Sequence, residues 1–270
     1  MKKLRGFSRK GRRSGKSYAC LVALCLFFVP GCAGVERHLF ESRFDPQTVA
    51  ALVTDLQDQN EKVRTFFSSG RLWVKGWQGE EGEATIFSAG ARAPFRLKLE
   101  ITHPWGQPIL HLLVDGTEFR LLSFNERKLY FGPFTRESLS RVFPEEMDPT
   151  LIWDLLRSYP FVETPYRAYS DAANQIRFSN EKGFEEEVIE FDRETRRPKE
   201  LILPQQNIKL VFSDFQVSQG IWYAGQTALV HVLGGTRLVH KVEQMVFNRT
   251  IPDQVFTLDA PPGFEIVPLN

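Results

Sequence analysis

The sequence predicts an α+β fold, a single domain in which a strongly curved antiparallel sheet of about eleven strands has its concave face covered by helices. Three observations lead there. Short segments of alternating apolar and polar residues, bounded by Gly, Pro and Asn turns, fill most of residues 71–258. Helical periodicity is confined to one stretch ahead of the strands and one inserted among them. The composition is globular, with 270 residues, 42% hydrophobic and 25% charged, and no internal repeat or low-complexity linker divides the body.

The first 17 residues hold eight basic side chains and no acid. About a dozen apolar residues follow, then Pro30-Gly31-Cys32. This is the order of a secretory signal peptide, and the apolar run falls short of the roughly 20 residues that cross a bilayer. Val29-Pro30-Gly31-Cys32 resembles a lipobox, although Pro30 departs from its usual small or aliphatic residue. That resemblance implies cleavage before an acylated Cys32. The expected organisation is a signal peptide over 1–31, a lipidated tether over 32–44 and a folded domain over 45–270. Ala33 stands after the cysteine where retained lipoproteins carry Asp, which by resemblance to bacterial sorting directs the protein to the outer membrane, facing the periplasm.

Within the body, Asp45 reads as an N-cap and Pro46 as a first helical residue, and Gly70 follows the expected helix end. Val49, Leu52, Val53, Leu56, Val63, Phe66 and Phe67 form its apolar stripe. Strands are expected at 71–77, 83–88, 95–102, 109–114, 118–124 and 128–131. The clearest sets Phe95, Leu97, Leu99 and Ile101 against Arg96, Lys98, Glu100 and Thr102, so one face needs covering and the other should meet water. Helical spacing returns over 135–143 and 148–157, the second opened by Asp148-Pro149. Strands resume at 175–179, 187–191, 199–203, 208–215, 236–247 and 255–258.

Signals for chemistry are sparse. All three cysteines lie at or before Cys32, so the body has no disulfide, thiolate zinc site or cysteine nucleophile. His38, His103, His111, His231 and His240 form no ligand pair at metal spacing, and neither a Gly-x-Ser-x-Gly elbow nor a Gly-x-Gly-x-x-Gly turn follows a strand. No catalytic residue, metal or cofactor is expected. Without its leader the chain has 26 basic against 33 acidic side chains, a net charge near −7, which argues against nucleic acid. The segment His103-Pro104-Trp105-Gly106-Gln107-Pro108 is unusual. Its prolines favour a stiff turn in which Trp105 either folds onto the core or stands out from it, and spacing leaves both open.

Residues 95–106, ending His103-Pro104-Trp105-Gly106 and followed by an apolar strand, resemble the strand ending in Asn-Pro-Leu-Gly of the LolA/LolB lipoprotein-localisation family. The stretch from Met147-Asp148-Pro149 through Leu151, Ile152 and Trp153 to Tyr159-Pro160 is similar to that family's inserted helices, and the likeness covers roughly residues 45–268. It implies a half-open β-barrel with a helical lid over an apolar cavity for the acyl chains of bacterial lipoproteins. On this reading Leu72, Val74, Phe95, Leu97, Leu99, Ile101, Leu110, Leu112, Phe119 and Leu121 line the cavity, and Trp153, Leu155 and Leu156 come from the lid. The loop Pro104-Trp105-Gly106 would enter the membrane, with Trp105 at the place of the family's leucine.

The implied partners are a LolA-like periplasmic carrier, lipoprotein acyl chains and outer-membrane lipid, with the protein acting as a monomer that accepts lipoproteins and inserts them. At about 0.8 kcal/mol per methylene, a triacylated cargo with about forty methylenes is held in a bilayer by about 30 kcal/mol and needs such a carrier to cross water. A lipid- or lipoprotein-binding sensor on the same fold is the alternative. A filled core with Trp105 buried would mark a purely structural lipoprotein.

Overall fold

The computed structural model describes residues 43–77, 80–140, 149–162 and 167–269. The expected signal peptide, Cys32 and the tether as far as residue 42 lie outside the described residues. The tether's last two positions belong to the folded unit: Arg43 bridges Ala173, the Phe44 amide donates to Ser170 Oγ at 3.0 Å, and the Phe44 ring meets Phe191 edge-on.

Helix α1 (Pro46–Glu61) starts as its sequence dictates, with the Asp45 carboxylate accepting from the amides of Gln47 and Thr48 at 2.9 and 3.0 Å. It stops well short of Gly70, because β1 (Thr65–Trp77) begins with Thr65-Phe66-Phe67, residues that favour a pleated backbone. Phe66 and Phe67 therefore do not share the helical stripe but point to opposite faces of the sheet, each into a different core.

The remaining strands are β2 (Glu80–Arg92), β3 (Phe95–Thr102), β4 (Pro108–Asp115), β5 (Glu118–Ser123), β6 (Lys128–Pro133), β7 (Arg167–Tyr169), β8 (Gln175–Ser179), β9 (Glu185–Phe191), β10 (Pro198–Leu203), β11 (Ile208–Ser218), β12 (Ile221–His231), β13 (Arg237–Phe247) and β14 (Glu265–Pro268). Two short helices, α2 (Arg136–Ser140) and α3 (Pro149–Arg157), interrupt them. All fourteen strands form one open sheet in the order β14-β6-β5-β4-β3-β2-β1-β13-β12-β11-β10-β9-β8-β7. Pairing is antiparallel throughout except that β14 runs parallel to β6.

Three of these strands were not expected. β7 and β14 are edge strands of three and four residues, too short to show a period. β12 is buried at most positions on both faces, so its alternation is lost, and its Gly225 sits where a Cβ would lie 2.8 Å from the carbonyl of Asp214, a β11 residue with φ +56°. Conversely, the strand expected at 255–258 is a 3-10 turn (Asp253–Phe256) leading into an irregular strap.

That strap corrects another expectation. Ile251, Phe256 and Leu258 pack on Ala89, Ala91, Leu113, Leu122 and Leu129, covering the outer face of β2–β6 with a second core. Lys98 Nζ donates to the carbonyl of Thr257 at 2.8 Å, Arg120 donates to Leu258 O at 3.2 Å, and Arg96 pairs with Asp253 while lying 4.4 Å over the Phe256 ring. The charged face of β3 thus meets the strap, and Lys98 is buried, which lowers its pKa by desolvation against the opposing charge of Glu100.

The main core lies on the other face, where α3 contacts the sheet from β3 to β12. Trp153 packs against Phe95 of β3, Leu155 approaches His240 of β13, and Arg157 reaches the carbonyl of Trp222 on β12. Those strands would span about 19 Å if flat, whereas nine helical residues are about 14 Å long, so the sheet bends around the helix. Both cores fall within the unit Glu41–Asn270, which therefore carries what it needs to fold by itself. Among the described residues no helix is long and apolar enough to cross a membrane.

Candidate functional site: an apolar cavity beside an exposed tryptophan

One end of the concave face is open. A cavity of about 730 Å³ is walled there by Leu72 and Val74 of β1, Ala84 of β2, Ile101 of β3, Ile109 and Leu110 of β4, Leu121 of β5 and Tyr130 of β6. This is within the range of small-molecule sites. Gly82 belongs to the wall, and a Cβ built on it would touch nothing within 4 Å.

The rim is polar and carries the tryptophan. The Tyr130 hydroxyl donates to Glu126 Oε2 at 2.8 Å, and burial followed by that bond pushes its pKa up to about 12. The loop over residues 103–107 closes on itself, with the His103 amide donating to Gln107 O and the Gly106 amide to His103 O, both at 2.8 Å. Gly106 has φ +89°, a conformation that favours glycine. Trp105 is 73% exposed, its ring stacked on His103 at 4.4 Å with only 5° between the planes. Of the two arrangements left open by spacing, the structure has the one in which Trp105 stands out.

The expected cavity residues divide by depth. Leu72, Val74, Ile101, Leu110 and Leu121 lie toward the open end and line the space. Phe95, Leu97, Leu99, Leu112, Phe119, Trp153, Leu155 and Leu156 are not on its lining; they belong to the hydrophobic core to which α3 contributes. Its Trp153 ring sits 5.1 Å from Phe66 and 5.6 Å from Phe95.

Among solved structures, a DUF1329 family protein from Desulfovibrio piger superposes with TM-score 0.56 at 13% identity, covering 79% of this chain and 98% of the other. A candidate outer membrane lipoprotein-sorting protein domain from Vibrio parahaemolyticus follows with TM-score 0.52 at 11% identity, covering 78% and 97%. The likeness is one of fold. A LolA superfamily protein from Nitrosomonas europaea aligns at TM-score 0.49 and 11% identity over 78% and 97% of the two chains. No protein-family model and no curated relative matches the sequence.

Two buried titratable groups hold α3 in place, and neither was singled out by sequence. Arg157 is fully buried, donating to Trp222 O at 3.1 Å and Gln59 O at 3.3 Å, with its guanidinium 4.5 Å over the Tyr159 ring. Desolvation lowers its pKa to about 10, which leaves it charged at neutral pH. His240 Nδ1 lies 3.4 Å from Leu155 O, and burial drives its pKa down to about 4, so the ring is neutral. A basic last turn on α3 was the available signal for Arg157, since a cation there complements the helix C-terminus. Among the described residues no group of three or more His, Cys, Asp or Glu side chains could hold a metal ion.

Proposed function

We propose that this protein is an outer-membrane-anchored lipoprotein that receives lipoproteins from a periplasmic carrier, shelters acyl chain in its apolar cavity and inserts the cargo into the membrane. The observation that carries the reading is an apolar space whose rim bears Trp105, an exposed amphipathic ring on a rigid turn. The shared fold with a candidate lipoprotein-sorting domain supports it. Acylated Cys32 would keep the acceptor at its target bilayer, as a monomer, with residues 33–42 as the leash. The protein is not an enzyme on this reading. Transfer runs down a gradient of affinity from carrier to acceptor to membrane.

The test uses residues 33–270 and a radiolabelled triacylated lipoprotein loaded on a periplasmic carrier, with liposomes as the final acceptor. Wild type should take up cargo and deliver it, whereas Trp105→Glu should take it up and retain it. Uptake without delivery by wild type would make the protein a lipid-binding sensor. No uptake at all would leave the likeness as one of fold alone.

A further inference from the structure

The strand registers divide the hairpin turns between two ends of the sheet. The turns β3–β4, β5–β6, β8–β9, β10–β11 and β12–β13 share the end where the cavity opens, and β2–β3, β4–β5, β9–β10 and β11–β12 share the other. Seven large apolar side chains are exposed among the described residues. Four stand in turns at the cavity end: Trp105 in β3–β4, Phe184 in β8–β9, and Val232 with Leu233 in β12–β13. The other three, Phe131, Val217 and Ile266, lie on strands, and three of the four far-end turns are polar, as in Asp115-Gly116-Thr117-Glu118 and Ser218-Gln219-Gly220, the fourth being the short Ala93-Pro94 turn.

From these positions we infer that the three apolar turns together seat the cavity end on a lipid bilayer, with the mouth of the cavity facing the membrane. The inference rests on the lipid-handling reading for the cavity's purpose, and it adds two contact points remote from the Trp105 loop. In sheet order the three hairpins are four strands apart, about 19 Å along the sheet at each step. Points of one or two residues at such spacing do not make the contiguous face of about 800 Å² per partner that a stable protein complex needs. A fluid surface receives each point separately.

The turns are rigid. Asn180 Oδ1 accepts from the amides of Lys182 and Phe184 at 3.0 and 3.1 Å, and Gly183 has φ +80°. In β12–β13 the Gly234 amide donates to His231 Nδ1 at 2.9 Å, and the Val232 amide donates to Asn207 O at 2.8 Å. Leu233, at 76% exposure, is therefore presented rather than frayed. In the β8–β9 turn Lys182 is offset by Glu181, so what this turn offers a bilayer is the apolar Phe184 ring rather than net positive charge.

The experiment is flotation of residues 33–270 on vesicles of palmitoyl-oleoyl phosphatidylcholine. The variants are Phe184→Ser, the double variant Val232→Ser/Leu233→Ser, and Val217→Ser as a control away from the cavity end. Binding of cis-parinaric acid to the cavity and the urea midpoint are measured on each. The tip variants should each lose about tenfold in vesicle partitioning, equivalent to about 1.4 kcal/mol, with parinaric acid affinity and midpoint unchanged. Val217→Ser should partition as wild type. Wild-type protein that does not float, tip variants that float undiminished, or a Val217→Ser loss as large as theirs overturns the docking surface. Tip-dependent flotation by a protein that binds no parinaric acid leaves the docking surface standing and removes the lipid-handling reading instead.

Discussion

Gly82→Leu plugs the cavity from its wall. The residue sits on β2 with its Cβ direction facing open space, whereas at Gly90, farther along the same strand, a Cβ would lie 2.4 Å from the Phe66 ring and 2.9 Å from Trp153. Four added carbons displace about four methylenes of a bound chain, which at about 0.8 kcal/mol each removes about 3 kcal/mol, or about 200-fold in affinity. The fold should be unharmed or slightly more stable, since glycine weakens a strand interior. Fluorescence titration with cis-parinaric acid and a urea melt read the two quantities separately. A variant that keeps its midpoint and binds the probe as tightly as wild type would show that chain binds elsewhere, and the reasoning from this cavity would fail.

Gly90→Ala should behave oppositely, costing about 1–3 kcal/mol by overpacking against two rings, and a midpoint equal to wild type would mean that Phe66 and Trp153 move freely. The buried His240 sets a pH dependence. Its folded pKa of about 4 lies below the unfolded value of about 6.5, so the unfolded chain takes up more protons between them. The stability is fully present above about pH 6.5 and is lost as pH falls toward 4, by about 3 kcal/mol in all. Urea midpoints between pH 7.5 and 4.5 should fall less steeply in His240→Gln, and parallel slopes would assign the effect to other groups. Phe256→Ala empties the strap's main anchor beneath Arg96 and should cost about 3–5 kcal/mol while leaving probe binding intact. A loss below about 1 kcal/mol would mean that the strap is not part of the cooperative unit.

Local chemistry by itself determined much of this protein. Asp45 and Pro46 start α1 because a capping carboxylate and a fixed φ act within one turn, and Phe95, Leu97, Leu99 and Ile101 share a face because a strand has a period of two. That period assigns a face but no depth. Whether Ile101 borders a cavity while Leu97 is sealed in the core depends on where α3 lies across the sheet, and the anchoring of α3 by Arg157 and Leu155 depends on β12 and β13, far along the chain. The same limit explains residues 255–258, whose apolar pattern records burial against the outer face without recording that their hydrogen-bond partners include Lys98 and Arg120 rather than a neighbouring strand. Trp105 lies between two prolines in any reading of the chain, but its exposure at the same end of the sheet as Phe184 and Leu233 exists only once the strands have paired in register. Burial patterns are written locally, whereas the partner that supplies the burial is chosen by the folded whole.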